Sequence, residues 1–197
     1  MPARTRAIFI FLIGLAALVA AGAIFMLAQD NAPGRTTGVA AKFTLTDQDG
    51  KQVTGRDFRG KAMLVFFGFT NCPDVCPLTL QKIADTLALA PELTKKLTPV
   101  FISVDPERDA PAKMKAYAAY FSPEIRALSG TPEQTAAAIA AFKVYAKKVP
   151  LPDSALGYTM DHSSLIYLYD ADGAFVTGWD PSIASEKLAE ELKRNVK

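Results

Sequence analysis

Two cysteines and one histidine are the whole soft-ligand inventory of this 197-residue chain. Both thiols lie in Thr70-Asn71-Cys72-Pro73-Asp74-Val75-Cys76-Pro77, with three residues between them, and His162 follows ninety residues after Cys72. A thioredoxin-type redox pair has two intervening residues, and the haem-attachment pattern is excluded because Pro77, not histidine, follows Cys76. As thiolates, Cys72 and Cys76 would attack disulfides or bind soft metals. Joined by His162 they form a donor set suited to Cu(I) in a trigonal site. With a water or weak fourth donor, the same set could hold Cu(II) or zinc. Structural zinc sites usually supply four protein ligands, and only three strong soft ones exist here. The plain alternative for the thiols is a structural disulfide, although closing so short a loop gains little chain entropy. Asp74 and Asp161 flank these residues as turn formers, and Met160 is a weak sulfur donor or a packing residue.

The elements around these residues can be read from periodicity. Phe43–Thr46 and Gln52–Thr54 flank Asp49-Gly50, a hairpin signal. Met63–Phe69 is an almost unbroken apolar run, as expected of a strand buried on both faces, and it leads into the cysteine motif. Pro77 can open a helix running to about Ala90. A second buried strand is expected at Val100–Val104, followed by Asp105-Pro106-Glu107-Arg108-Asp109, with Asp109 as a helix cap. A short strand at Arg126–Leu128 precedes Thr131-Pro132-Glu133-Gln134, a capping box for a helix to about Tyr145. Val149–Met160 reads as an irregular loop, long enough to be functional. His162 then stands at the mouth of a strand at Leu165–Tyr169, followed by a strand at Ala174–Thr177 and a helix from Pro181 to about Asn195. Apolar strands alternating with helices, with a dithiol at a helix start, predict an α/β, thioredoxin-like fold: a central mixed sheet flanked by helices. Ligand sites in such sheets lie beyond the carboxyl ends of the parallel strands, where the cysteine motif falls.

Ala7–Ala28 is free of charge for 22 residues, which as a helix spans about 33 Å and is enough to cross a bilayer. Arg4 and Arg6 precede it, so the positive-inside rule keeps residues 1–6 cytoplasmic and exports the remainder. A cleaved signal peptide would have a shorter apolar core. The expected organisation is a transmembrane anchor at 7–28, a flexible Asn31-Ala32-Pro33-Gly34 linker over 29–41, and one domain over 42–197. With only six residues ahead of the anchor, a bacterial inner membrane with a periplasmic domain is expected. Setting aside Arg4 and Arg6, basic residues equal the 20 acidic ones, which leaves no electrostatic case for nucleic-acid binding.

Several blocks resemble the Sco/SenC family: Asp57-Phe58-Arg59-Gly60-Lys61, Phe66-Phe67-Gly68-Phe69-Thr70-Asn71-Cys72-Pro73-Asp74-Val75-Cys76-Pro77, Val104–Asp109, Leu128-Ser129-Gly130-Thr131 and Asp161-His162-Ser163. They occur in family order over about residues 40–195. Two departures, Val39–Lys42 in place of a glycine-rich lead-in and Met160 in place of a smaller aliphatic, touch no expected ligand. The resemblance implies a membrane-anchored copper metallochaperone with Cys72, Cys76 and His162 as the metal ligands. Its implied partners are cytochrome c oxidase subunit II, whose dinuclear CuA centre it would help assemble, a periplasmic copper donor and a thiol reductant. A different class, the thiol–disulfide oxidoreductase, would use Cys72 and Cys76 as attacking and resolving thiols and leave His162 without an obligatory role. Peroxidase chemistry is weaker: Thr70 precedes Cys72 by two residues, but the proline of a peroxiredoxin motif is missing.

Overall fold

The computed structural model describes residues 43–197. The expected anchor and linker lie outside the described residues, and among the described residues no helix is long and apolar enough to cross a membrane.

The apolar run forms β3 (Ala62–Gly68), buried at every position. Beside it β4 (Leu97–Ser103) runs parallel, and β5 (Arg126–Ser129) runs parallel to β4. On the other side β8 (Ile166–Tyr169) is antiparallel to β3, and β9 (Phe175–Trp179) is antiparallel to β8. The hairpin of β1 (Thr44–Asp47) and β2 (Gln52–Thr54) completes a seven-stranded sheet in the order β2-β1-β5-β4-β3-β8-β9. Four helices flank it: α1 (Val75–Leu89), α2 (Pro111–Phe121), α3 (Pro132–Phe142) and α4 (Ser185–Asn195).

Successive residues of a strand point to opposite faces, so Phe66 and Phe67 seed two separate packing layers. Phe66 stacks on Phe101, which meets Tyr117 of α2. Phe67 meets Phe142 of α3, which also packs on Tyr169 and Phe43. The sheet is therefore covered on both faces, as a continuous apolar strand requires. The capping box forms as expected: the Gln134 N–H donates to Thr131 Oγ1 at 3.2 Å and the Thr131 N–H to Gln134 Oε1 at 2.9 Å. That helix stops at Phe142, short of Tyr145, because Lys143 turns left-handed at φ 55°.

The structure corrects other expectations. Helix α1 begins at Val75 rather than Pro77, which puts Cys76 inside its first turn. The segment expected to be irregular is a two-stranded ribbon of β6 (Ala146–Leu151) and β7 (Gly157–His162), outside the main sheet. Pro150 argued against a strand there, but each strand of a two-stranded ribbon has an outer edge where a missing N–H breaks no ladder bond. His162 thus ends β7 instead of opening β8. Helix α4 starts at Ser185, four residues after Pro181.

Asp109 does not cap α2, whose N-cap is Ala110. Its fully buried carboxylate accepts from the Thr70 N–H at 3.1 Å, from the Thr70 hydroxyl, and from the Ser103 hydroxyl at 2.7 Å. Gly68, Ser103 and Ser129 end their parallel strands at one rim of the sheet. Strand β1 runs the other way, with Thr46 opposite Ser129, and so starts at that rim. Asp109→Ala would strand the Thr70 and Ser103 donors, and the unfolding free energy should fall by about 2–4 kcal/mol in a urea titration. Asp49→Ala, which breaks an exposed pair with Lys115, should cost less than about 1 kcal/mol.

Candidate metal centre

Strand β3 aims the chain at the rim, and the cysteine loop turns there before α1 begins. The Cys72 N–H donates to the Phe69 carbonyl at 3.3 Å, closing that turn. Cys76, in the first turn of α1, is fully buried, whereas Cys72 is partly exposed. The Cys76 N–H points at Cys72 Sγ at 3.5 Å. Cys76 needs the glycine before it: a Cβ on Gly68 would stand 2.7 Å from Cys76 Sγ and 3.0 Å from the Phe101 ring. The absent side chain is the space the thiol fills.

The two thiols differ in acidity. Cys72 is lowered to about 5, first because the Cys76 thiol donates to it and then through the N–H groups of Asp74 and Cys76 at the helix start, against the opposing effect of burial. Cys76 is raised, because its proton is shared with Cys72 and because burial disfavours its charge. The pair therefore holds one thiolate on the exposed side and one thiol inside.

His162 reaches the same point from β7. Its Nδ1 lies 2.9 Å from the Ser163 carbonyl oxygen, which can only accept, so Nδ1 carries the proton. Nε2, the other ring nitrogen, lies 3.7 Å from Cys76 Sγ. The edges of Phe66 and Phe69 box the ring, with centroids 6.3 and 5.9 Å away. Metal–sulfur and metal–nitrogen bonds of about 2.3 and 2.0 Å, at a trigonal or tetrahedral angle, separate the two donors by about 3.5–3.7 Å. Cys76 and His162 already stand at that spacing. Among the described residues no three His, Cys, Asp or Glu side chains form a closed metal-binding group. Cys72 stands beside the pair as a third donor.

Cys72, Pro73, Phe69, Met160, Asp161 and His162 line an open cleft of about 210 Å³. Met160 packs partly against the core, while Asp74 and Asp161 are exposed. Asp74 precedes α1 without capping it through its side chain. Sequence reasoning placed no role on Asp105, Arg108 or Tyr158, which tie the histidine ribbon to the rim. The available signal was position, since the charged run 105–109 follows directly on a parallel strand, where ligand sites fall.

A mixed sheet flanked by helices, with a dithiol at a helix start beyond β3, defines a thioredoxin-like domain carrying a soft-donor site. The chain belongs to the SCO1/SenC family, whose model matches residues 31–197. It is 40% identical to the mouse mitochondrial SCO2 homologue over 157 residues, covering 78% of this chain and 61% of that protein. The structure of Bradyrhizobium japonicum ScoI with copper bound is 48% identical and superimposes with a TM-score of 0.72, covering 80% of this chain and 99% of that one. BsSco, a member of the Sco family of cytochrome c oxidase assembly proteins in which a disulfide switch is described, is 25% identical, with a TM-score of 0.61 over 79% of this chain and 92% of that one.

The unequal thiols predict unequal alkylation. In the reduced, metal-free chain at pH 7, iodoacetamide should label Cys72 well before Cys76, as read by peptide mass spectrometry. Because the Cys72 value is lowered, its rate should be flat from about pH 6 to 8 and fall only as pH drops through about 5, where the thiolate is protonated. Gly68→Ala should destabilise the domain by about 1–3 kcal/mol through overpacking. Adding Cys76→Ala, which empties the contested space, should restore most of that loss in a double-mutant cycle.

Proposed function

We propose that this protein carries copper as cargo on Cys72, Cys76 and His162. It passes the ion by ligand exchange to the CuA centre of cytochrome c oxidase subunit II. One observation carries the reading: Nε2 of His162 stands 3.7 Å from Cys76 Sγ, a spacing two ligands of one ion would have. Membership of a family with a copper-bound relative supports copper over zinc, as does a set of three soft donors. Loading displaces the Cys76 proton, whereas Cys72 enters as a thiolate. In this reading residues 7–28 anchor the chain in a bacterial inner membrane, residues 29–41 act as a tether, and the domain works in the periplasm. A copper donor and a thiol reductant there would supply the ion and keep the pair reduced.

The acidified, partly exposed Cys72 backed by a buried Cys76 also favours thiol–disulfide exchange. The Cys72 thiolate would attack a disulfide of the oxidase subunit, forming a mixed disulfide and releasing one target thiolate. Cys76 would then attack Cys72 Sγ, freeing the second target thiol and leaving a disulfide in this chain. The two roles are compatible in sequence, because only the dithiol binds copper.

Removing ligands separates the readings. Cys72→Ser and Cys76→Ser should each abolish tight copper binding, as should oxidation of the pair to a disulfide. His162→Ala should weaken Cu(II) more than Cu(I), which two thiolates can still hold. In cells with His162→Ala as the only copy, oxidase copper-centre assembly should fail at low copper, while the purified variant exchanges disulfides at close to the wild-type rate. Normal assembly in that strain, with failure only on cysteine replacement, would assign the protein to the oxidoreductases.

A further inference from the structure

The imidazole and the thiols sit on different supports. The cysteine loop extends β3 of the central sheet, whereas His162 ends a ribbon that shares no ladder with that sheet. Something outside the sheet hydrogen bonds must hold the ribbon at a fixed height. At His162 the three residues leading into β8 tie the ribbon to the sheet, and farther along β7 the turn 105–109 after β4 holds it. Tyr158 of β7 donates its hydroxyl hydrogen to Asp105 Oδ1 at 2.7 Å. Arg108 Nη1 donates to the Tyr158 carbonyl at 3.1 Å, and its guanidinium lies 3.6 Å from the centroid of the Tyr158 ring. Arg108 Nε also donates to Asp105 Oδ2, so that one buried carboxylate holds both residues.

This clamp shares its base with the thiol arm. The Asp105 N–H donates to Ser103 Oγ at 3.0 Å, and the same hydroxyl donates to Asp109, which grips Thr70 just ahead of Cys72. Alternation along a strand puts Tyr158, Met160 and His162 on one face of β7, with Tyr158 and His162 about 13 Å apart. The height at which Tyr158 is held therefore sets the height of His162.

Resting on the copper-carrier reading, we infer that Tyr158 and Arg108 are positioning residues for His162. Through Asp105 they hold Nε2 at ligand spacing from Cys76 and so decide whether the site offers three donors or two. Cu(I) is served by the two thiolates, whereas Cu(II) needs the nitrogen, so the clamp sets preference between oxidation states more than total affinity.

Tyr158→Phe deletes only the hydroxyl and keeps the ring against Arg108. The full reduced chain in detergent, titrated anaerobically with Cu(II) and separately with Cu(I), should lose about tenfold in Cu(II) affinity, the cost of one hydrogen bond to a charged acceptor. Cu(I) affinity should stay within about twofold, since no thiolate is touched. The thiolate-to-Cu(II) absorption should weaken in parallel. Without metal, the ring-nitrogen resonances of the single histidine should show a less fixed Nδ1–H tautomer. In a His162→Ala background, Tyr158→Phe should change Cu(II) binding no further. Unchanged Cu(II) affinity in Tyr158→Phe beside a clear loss in His162→Ala would overturn the clamp and leave the copper site standing. So would equal losses for both ions, or the same loss with and without His162, since these mark general destabilisation. Wild-type Cu(II) affinity in His162→Ala would overturn the site and the clamp together.

Discussion

The buried Cys76 thiol is the fixed point of this structure. It occupies the volume that a side chain on Gly68 would fill, against Phe101, at the carboxyl end of the most buried strand. A thiol in that position cannot be moved without disturbing the sheet, so the other two donors must be brought to it. Cys72 approaches through the short turn before α1, and His162 approaches through a ribbon that joins the sheet only indirectly. The buried thiol is thus the less acidic of the pair, and the partly exposed one is the more available.

Buried polar groups around the rim are satisfied by one another. Asp109 takes donors from the cysteine loop and from β4, and Asp105 takes donors from its own turn and from the ribbon. Each buried carboxylate would be costly alone, and hydrogen bonding to several partners offsets that cost. The result is a polar seam beneath the cleft, linking three chain segments through Ser103. The shape of the cleft is therefore set from below by groups that do not line it.

Much of this was legible in the sequence where burial forces a pattern. Met63–Phe69 had to be an interior strand because nothing polar interrupts it, and Thr131–Gln134 had to start a helix because its side chains satisfy the first N–H groups. Cys72, Cys76 and His162 stood out by scarcity; in the structure His162 Nε2 lies 3.7 Å from Cys76 Sγ, and Cys72 and His162 line one cleft. The ribbon at 146–162 was not legible: Lys147, Lys148 and Pro150 carry no strand pattern, and its geometry comes from contacts with Arg108 and Asp105 some fifty residues earlier. Nor could spacing alone tell the two thiols apart. Their difference depends on α1 starting at Val75, which sinks Cys76 and leaves Cys72 at the mouth.

The direction of β1 has a mechanical consequence. Because it starts at the rim and runs away from it, the chain ahead of Phe43 joins the domain at the end that bears the thiols. Reversing β1 would have moved that junction to the far end of the sheet, about 20 Å away along seven-residue strands. Any leash fastened at this junction is thus measured from the working end of the molecule. Little of such a leash would be lost in spanning the domain itself.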